Sequence, residues 1–155
     1  MKVKDVMTRK PLCLKQGDKI QTAIHMLSRN DISSCPIVDG QKKVVGIVTK
    51  TDVLKSIDAH SGIQNQNALT LVMATITGEE YDGIKRSIKK VIKRPVKSIM
   101  KKKVLCISDK DDIYKAAKLM NERDIETLPV VRNNKIIGIL TRSDIISLLG
   151  KIDRR

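Results

Sequence analysis

The sequence contains no phenylalanine and no tryptophan, and its tyrosines are Tyr81 and Tyr114. Its core must therefore be built from Ile, Val, Leu, Met and Ala, and β-branched side chains of this kind favour strands. Without phenylalanine and tryptophan it also lacks the stacking platforms common in proteins that bind single-stranded nucleic acid. A chain of 155 residues can still bury roughly 68–70% of its surface, which is enough for a proper core.

Cysteine pairs, metal-ligand spacings and long apolar runs are also missing. The three cysteines, Cys13, Cys35 and Cys106, are far apart and form no C-x-x-C pair, which argues against a disulfide framework or a zinc site. The charged start "MKVKDVMTRKP" lacks a signal-peptide core, and the longest apolar stretch, "LTLVMATI", is too short to span a bilayer. We therefore expect a cytoplasmic protein with no metal and no membrane contact.

Motifs for catalysis are absent as well. No Gly-rich phosphate loop is evident, and neither His25 nor His60 has a plausible nucleophile partner in the sequence. We expect no catalytic residue, no cofactor and no enzymatic activity.

Acidic residues are absent from positions 84–103, a stretch that we call the basic segment. It contains ten of the 31 basic residues: Lys85, Arg86, Lys89, Lys90, Lys93, Arg94, Lys97, Lys101, Lys102 and Lys103. The net charge of +14 is therefore a feature of one segment, since the rest of the chain is nearly balanced. This charge indicates either a solvated helix face or a site for nucleic acid or an acidic partner, and such binding should be non-specific and salt-sensitive.

What the sequence does contain is an internal repeat. Residue 3 aligns with residue 96, which places "VKDVM" over "VKSIM", "LCL" over "LCI" and "DISSCPIVD" over "DIETLPVVR". After the turn "DGQKK", where the second copy is one residue shorter, "GIVTKTD" (46–52) lies over "GILTRSD" (138–144). The chain is therefore organised as two copies of one unit of roughly 55 residues.

Each copy reads as β-α-β-β-α, an α+β fold. Asp18 and Asp111 are candidate N-caps of a helix whose apolar residues recur at helical spacing. A Pro-opened β-branched run and a partner strand then form a hairpin, and a short helix closes the unit, with Gly150 at the C-cap position of the second copy. We assign residues 1–57 to repeat 1, 58–95 to an insert with a basic amphipathic helix at about 79–94, 96–150 to repeat 2 and 151–155 to a basic tail.

These motifs resemble the CBS domain in its tandem arrangement, the Bateman module, of the stand-alone two-domain type. The resemblance rests on "VKDVM" and "VKSIM", on "SSCPIVD" and "ETLPVVR", and above all on "GIVTKTD" and "GILTRSD". It covers residues 3–57 and 96–149. It implies two repeats packed as a pseudo-two-fold pair, with part of each pocket supplied by the first strand of the opposite repeat.

The Thr and Asp of the repeated motif have two interpretations. Thr49 with Asp52, and Thr141 with Asp144, fit a capping box at the start of a helix. The same helix start also favours an anion, and a carboxylate beside it suits a ribose diol. The resemblance implies the second role for these four residues, as ligands of the ribose and phosphate of an adenosine nucleotide.

The resemblance also implies further site residues. The base pocket is expected to be lined by Ser34, Ile47, Thr127, Ile139, Leu12 and Leu105. Lys50 and Arg142 are candidate phosphate contacts, although solvated cations at a helix start are the favoured interpretation of these two residues. Lys101–Lys103 follow "SIM" close to the expected position of ligand phosphates, so part of the basic charge serves a nucleotide under this interpretation.

The implied function is a sensor that binds AMP, ADP, ATP or S-adenosylmethionine and regulates a partner protein in trans, as a homodimer. The alternative is a non-catalytic interaction protein that binds nucleic acid or an acidic partner through the basic segment.

Overall fold

The computed structural model describes residues 1–60, 76 and 82–151. Repeat 1 contains β1 (Thr8–Arg9), β2 (Leu14–Lys15), α1 (Ile20–Arg29), β3 (Ser34–Val38), β4 (Val44–Thr49) and α2 (Lys50–His60). The insert contains α3 (Asp82–Ile92). Repeat 2 contains β5 (Ile107–Ser108), α4 (Ile113–Glu122), β6 (Thr127–Arg132), β7 (Lys135–Thr141) and α5 (Arg142–Leu149). The predicted β-α-β-β-α order is therefore confirmed in both repeats, and the fold is α+β.

The apolar periodicity of the first helix in each repeat places one face in the core. Ile20, Ala23 and Leu27 of α1 are buried, and so are Ala116 and Met120 of α4. Short turns at Val3–Asp5 and Val96–Ser98 open the two repeats in the same way. None of the described helices is both long and apolar enough to cross a lipid bilayer.

The predicted N-caps of these helices are wrong by one residue. Lys19 precedes α1 without a side-chain cap, and Asp112 caps α4 by accepting a hydrogen bond from Lys115 N at 2.8 Å. Asp18 and Asp111 instead turn back, and each accepts a hydrogen bond from the backbone N–H three residues earlier in the chain. These hydrogen bonds close the turn before the helix. Turn closure and helix capping compete for the same short carboxylate, so neither aspartate is the N-cap.

The strands form two sheets, in the orders β1-β7-β6-β5 and β2-β3-β4. The chain divides into two compact units that do not coincide with the repeats. Unit 1 comprises Met1–Cys13, Val38–Val45 and the chain from Lys103 onward, whereas unit 2 comprises Leu14–Ile37 and the described part of Gly46–Lys102. Each unit thus contains most of one repeat together with the opening segment of the other, and unit 1 also contains Val38–Val45 of repeat 1.

The opening segments are held by matching backbone hydrogen bonds. In unit 1, Val3 N donates to Asp111 O at 2.9 Å and Lys4 N donates to Asp109 O at 3.1 Å. In unit 2, Val96 N donates to Asp18 O at 2.7 Å and Lys97 N donates to Gln16 O at 3.2 Å. Because backbone groups bond regardless of side chain, this docking needs only the right length of chain.

Apolar burial reinforces this docking. Val3 is fully buried in the core of unit 1, in a cluster with Ile107, Ala116, Met120, Leu128, Val130 and Leu140. Val96, its equivalent in unit 2, is also fully buried. Burying a side chain of this size contributes roughly 1.5–3 kcal/mol, so the opening segment is part of each core.

The glycine of each repeated motif lies where an opening segment crosses a strand. A Cβ on Gly138 would lie 2.5 Å from Met7 Sδ and 3.0 Å from Thr8 O. A Cβ on Gly46 would lie 2.5 Å from Met100 Sδ and 3.2 Å from Lys101 O. Thr8 pairs with Ile139 in β7, and Ile47 exchanges two backbone hydrogen bonds with Lys101, at 3.0 and 2.9 Å. Glycine is needed at both positions because a backbone approaches closely.

One buried ion pair distinguishes unit 1 from unit 2. Asp109 is 2% exposed and accepts hydrogen bonds from the Arg132 guanidinium, one of them from Nε at 3.0 Å. This guanidinium lowers the pKa of the Asp109 carboxyl. The equivalent positions in repeat 1 are Gln16 and Asp39, so the pair belongs to repeat 2 alone.

The predicted basic helix is α3, which the structure describes from Asp82. Val91 is buried and Ile88 and Ile92 are half-buried, while α3 packs against α1 and α2 within unit 2. The helix ends just before Arg94 and Pro95, since proline cannot continue the hydrogen-bonding pattern. The ambiguous stretch "ALTLVMATIT" lies outside the described residues, apart from Ile76.

We predict that Gly138→Ala destabilises the protein by about 1–3 kcal/mol, because the new methyl group must displace Met7 or the Thr8 carbonyl. Gly17→Ala is the matched control, since a Cβ on Gly17 meets no atom within 4 Å. Urea unfolding of the two variants and the parent measures the difference. Equal unfolding free energies for the two variants would contradict the close crossing at Gly138.

Candidate functional site

The repeated Thr-x-x-Asp motif lies at the junction between the last strand and the last helix of each repeat. In unit 2, Asp52 Oδ2 accepts hydrogen bonds from Thr49 N at 2.9 Å and from Thr49 Oγ1 at 2.8 Å. Asp52 N in turn donates to Thr49 Oγ1 at 3.1 Å. The two residues therefore satisfy each other across the first turn of α2.

Unit 1 has the same arrangement at the start of α5. Asp144 Oδ2 accepts from Thr141 N and from Thr141 Oγ1, both at 2.8 Å, and Asp144 N donates to Thr141 Oγ1 at 3.2 Å. This is a capping box, so the simpler interpretation of the motif is confirmed in geometry.

The capping box uses only one oxygen of each aspartate. Oδ2 takes both bonds from the threonine, and Oδ1 of Asp144 has no hydrogen-bond or ion-pair partner among the described residues. The cap also fixes the orientation of the carboxylate, because Oδ2 is held at two points. Each motif therefore presents an oriented oxygen that can accept a hydrogen bond from a ligand.

Two buried hydroxyl groups lie beside these junctions. Thr127 begins β6, is buried and pairs directly with Thr141 across the sheet. Ser34 begins β3 in the equivalent position, and Lys50 N bonds to Ser33 O as Arg142 N bonds to Glu126 O. Ser34 is 6% exposed, and its Oγ has no hydrogen-bond partner in the described part of the chain. An unsatisfied buried hydroxyl costs roughly 1–3 kcal/mol, which a ligand group would recover.

The remaining predicted pocket residues are divided between the units. Ile139 and Leu12 lie in unit 1 with Thr141 and Asp144, and Ile47 lies in unit 2 with Thr49 and Asp52. Leu105 lies in unit 1, and both leucines are largely exposed. The received segment ends at Cys13 in unit 1, where it includes β1, and at Lys102 in unit 2, and Thr8 and Lys101 are the crossing points.

The two candidate phosphate contacts inside the motifs are engaged elsewhere. Arg142 donates to Met120 O, Ile125 O and Asp124 Oδ1, at 3.3, 3.2 and 2.9 Å. The Lys50 ammonium lies 3.6 Å from Asp31 Oδ1. Both cations therefore tie the start of the last helix to the turn that follows the first helix of the repeat.

A cation that reaches the motif comes instead from the basic segment. Lys101 Nζ lies 3.6 Å from Asp52 Oδ1, the oxygen that the cap leaves unused. The resemblance implied that Lys101 lies near a nucleotide phosphate, but the sequence contains no signal of its pairing with Asp52, because this contact depends on where Met100 crosses Gly46.

A cavity of about 450 Å³ lies in unit 1, away from the motif. It is lined by Lys10, Pro11, Cys13, Val38, Lys42, Ile136 and Ile137. Ile136 and Ile137 lie near the beginning of β7, whereas Thr141 of the motif is the last residue of that strand. Cys13, Cys35 and Cys106 are not joined in disulfides, and burial raises the pKa of the Cys13 thiol. Among the described residues, no group of three or more His, Cys, Asp and Glu is arranged to hold a metal ion.

Comparison with known proteins decides the family. Residues 3–59 and 96–151 each match the CBS domain, and together they cover more than half of the chain. The chain belongs to the CBS domain family. Its two CBS repeats contain the motifs and the exchanged opening segments described above.

Similar proteins cover nearly the whole of this CBS pair. The uncharacterized protein MJ1426 of Methanocaldococcus jannaschii is 31% identical over 154 residues, which are 96% of this chain and 91% of that protein. AcuB from Vibrio cholerae has a crystal structure that matches with a TM-score of 0.76 and 25% identity, over 99% of this chain and 93% of that one.

Two further crystal structures with the CBS pair fold contain adenosine ligands. CBSX2 in complex with AMP matches with a TM-score of 0.72 and 23% identity, over 98% of both chains. The CBS domain pair of MJ0100, in complex with 5-methylthioadenosine and S-adenosyl-L-methionine, matches with a TM-score of 0.69 and 24% identity, again over 98% of both chains.

Proposed function

We propose that this CBS pair is a sensor of adenosine ligands. The observation that carries the proposal is the aspartate oxygen that the capping box leaves unused, Oδ1, which occurs once in each unit. A ribose diol offers two O–H donors, and a carboxylate that is already oriented accepts them without further ordering. The start of the helix adds N–H groups and a partial positive charge for the phosphate of AMP, ADP or ATP.

The buried hydroxyls support the same site. Ser34 Oγ has no hydrogen-bond partner within the described ranges and lies at the start of β3, the strand beside β4, where a purine nitrogen would satisfy it. CBSX2 and the MJ0100 pair share this fold and bind AMP, 5-methylthioadenosine or S-adenosyl-L-methionine. We therefore place AMP, ADP, ATP and S-adenosylmethionine in one class of candidate ligand.

We further propose a regulatory role without catalysis, in the cytoplasm. The polar groups at the motif are fixed acceptors and caps, and no histidine or thiol lies among the residues that form it. Ligand binding at the exchanged segments would then change how the protein associates with a partner that it regulates.

We predict that Asp52→Asn combined with Asp144→Asn lowers affinity for AMP by about tenfold to a hundredfold at each site. Asparagine keeps one oxygen for the cap but replaces the free acceptor with an N–H₂ donor. Isothermal titration calorimetry measures the loss, and Glu122→Gln, at an exposed carboxylate of α4 in repeat 2, is the control. Unchanged AMP affinity in the double variant would show that the ribose does not bind these carboxylates.

Exposed apolar residues on the last helices support a homodimer. Leu54 of α2 is 49% exposed, and Ile146 of α5, its equivalent in repeat 2, is 66% exposed. We predict that the parent protein sediments as a dimer and that Leu54→Glu with Ile146→Glu sediments as a monomer, since buried carboxylates would oppose association. Tyr114→Glu, at an exposed site on α4, should leave the dimer unchanged. A monomeric parent in analytical ultracentrifugation would rule out this interface.

The basic segment favours a second candidate function, the binding of nucleic acid or an acidic protein. Val91 turns inward, whereas Lys89, Lys90 and Lys93 are exposed and have no carboxylate partner among the described residues. Exposed cations without counter-charges are free to neutralise phosphates. These three lysines lie on α3 and just after it, whereas Lys101, near the other end of the basic segment, contacts Asp52.

We predict that, if this second function holds, the protein binds duplex DNA weakly at 50 mM salt. Contact with six or more phosphates would lower this affinity about a thousandfold or more by 200 mM salt. A charge-reversed variant, Lys89→Glu with Lys90→Glu and Lys93→Glu, should abolish the gel shift, and Lys135→Glu in unit 1 should not. A gel shift that survives salt or the triple substitution excludes the segment as the site.

A further inference from the structure

The two motifs are alike, but the opening segments that cross beside them differ at one position. Lys101 pairs with Ile47 in unit 2, and Thr8 pairs with Ile139 in unit 1. These positions are equivalent in the repeats, and the residues that follow are basic in both segments: Arg9, Lys10, Lys102 and Lys103. The difference in charge therefore falls on a single side chain.

That side chain faces the aspartate of the motif in unit 2. Lys101 Nζ is 3.6 Å from Asp52 Oδ1, and the Asp52 side chain is only 10% exposed. Lys101 itself is 61% exposed, so its ammonium remains partly solvated and can move. Asp144 has no cation at its Oδ1 among the described residues, because Thr8 is short and neutral and Arg142 is engaged elsewhere.

We propose that Lys101 makes the Asp52 site selective for a nucleoside that carries phosphate, whereas Thr8 leaves the Asp144 site selective for an adenosine ligand without negative charge. This inference rests on the proposed function, since it concerns which adenosine ligand each site takes. It assigns different ligand classes to two sites that have the same motif.

The reason is charge compensation. A ribose hydroxyl that binds Asp52 Oδ1 competes with Lys101 for that oxygen, and a displaced ammonium loses its counter-charge. A phosphate on the ligand restores the counter-charge, whereas adenosine alone does not. At the Asp144 site Oδ1 has no cation partner among the described residues, so its charge opposes a nearby phosphate more than the Asp52–Lys101 pair does, and a neutral or cationic adenosine ligand is favoured there.

The test separates the two sites before it compares ligands. Asp144→Asn leaves the Asp52 site, and Asp52→Asn leaves the Asp144 site; calorimetry then measures AMP and adenosine in each background. We expect AMP to bind the Asp52 site at least tenfold more tightly than adenosine does, and the preference to reverse at the Asp144 site. Lys101→Thr should remove the preference for AMP, Thr8→Lys should create one at the Asp144 site, and Lys118→Thr, at an exposed position of α4, should change neither.

Salt provides a second measurement that does not depend on a substitution. AMP affinity at the Asp52 site should fall as ionic strength rises, and adenosine affinity at the Asp144 site should not, because only the first includes a net ion pair. Equal ratios of AMP to adenosine affinity in parent and Lys101→Thr would overturn this inference and leave the proposed function standing. If neither ligand binds in either background, both fail.

Discussion

The crossing of each opening segment over a glycine-containing strand is the contact on which the rest of the structure depends. Met7 and Thr8 cross Gly138, and Met100 and Lys101 cross Gly46, at distances that leave no room for a Cβ. The crossing places Val3 and Val96 in the cores and brings residues 8 and 101 beside the motifs. Each unit is therefore completed by chain from the other repeat, which explains why one copy alone would lack part of its core and of its site.

The repeated Thr-x-x-Asp motif has a structural role and a proposed ligand role that are compatible. The cap takes Oδ2 of the aspartate and both hydrogen-bonding functions of the threonine hydroxyl, whereas Oδ1 is left for another donor. Holding the carboxylate at one oxygen lowers the entropy that a ligand must remove on binding. The stability of the helix start and the orientation of the candidate site thus come from the same four residues.

Much of this architecture was predictable from local patterns. The repeat, the helical spacing in α1 and α4 and the Pro-opened strands led directly to two β-α-β-β-α units of the CBS family. The N-caps were misassigned by one residue because the carboxylates of Asp18 and Asp111 bond to the backbone N–H three residues earlier and not to the N–H groups of the helix start. The position of the exchange depends on contacts about 130 residues apart, such as Thr8 of β1 with Ile139 of β7, and local periodicity carries no information about these contacts. Gly46 and Gly138 were the available signal, since a glycine inside a strand marks close approach of another backbone.

The measurement that tests the central claim most directly is a crystal structure of the protein grown with saturating AMP. The account predicts the ribose hydroxyls of AMP against Oδ1 of Asp52, with the Oδ2 bonds to Thr49 retained and Lys101 turned toward the phosphate. AMP bound away from both capping aspartates, for example in the cavity beside Cys13, would contradict it.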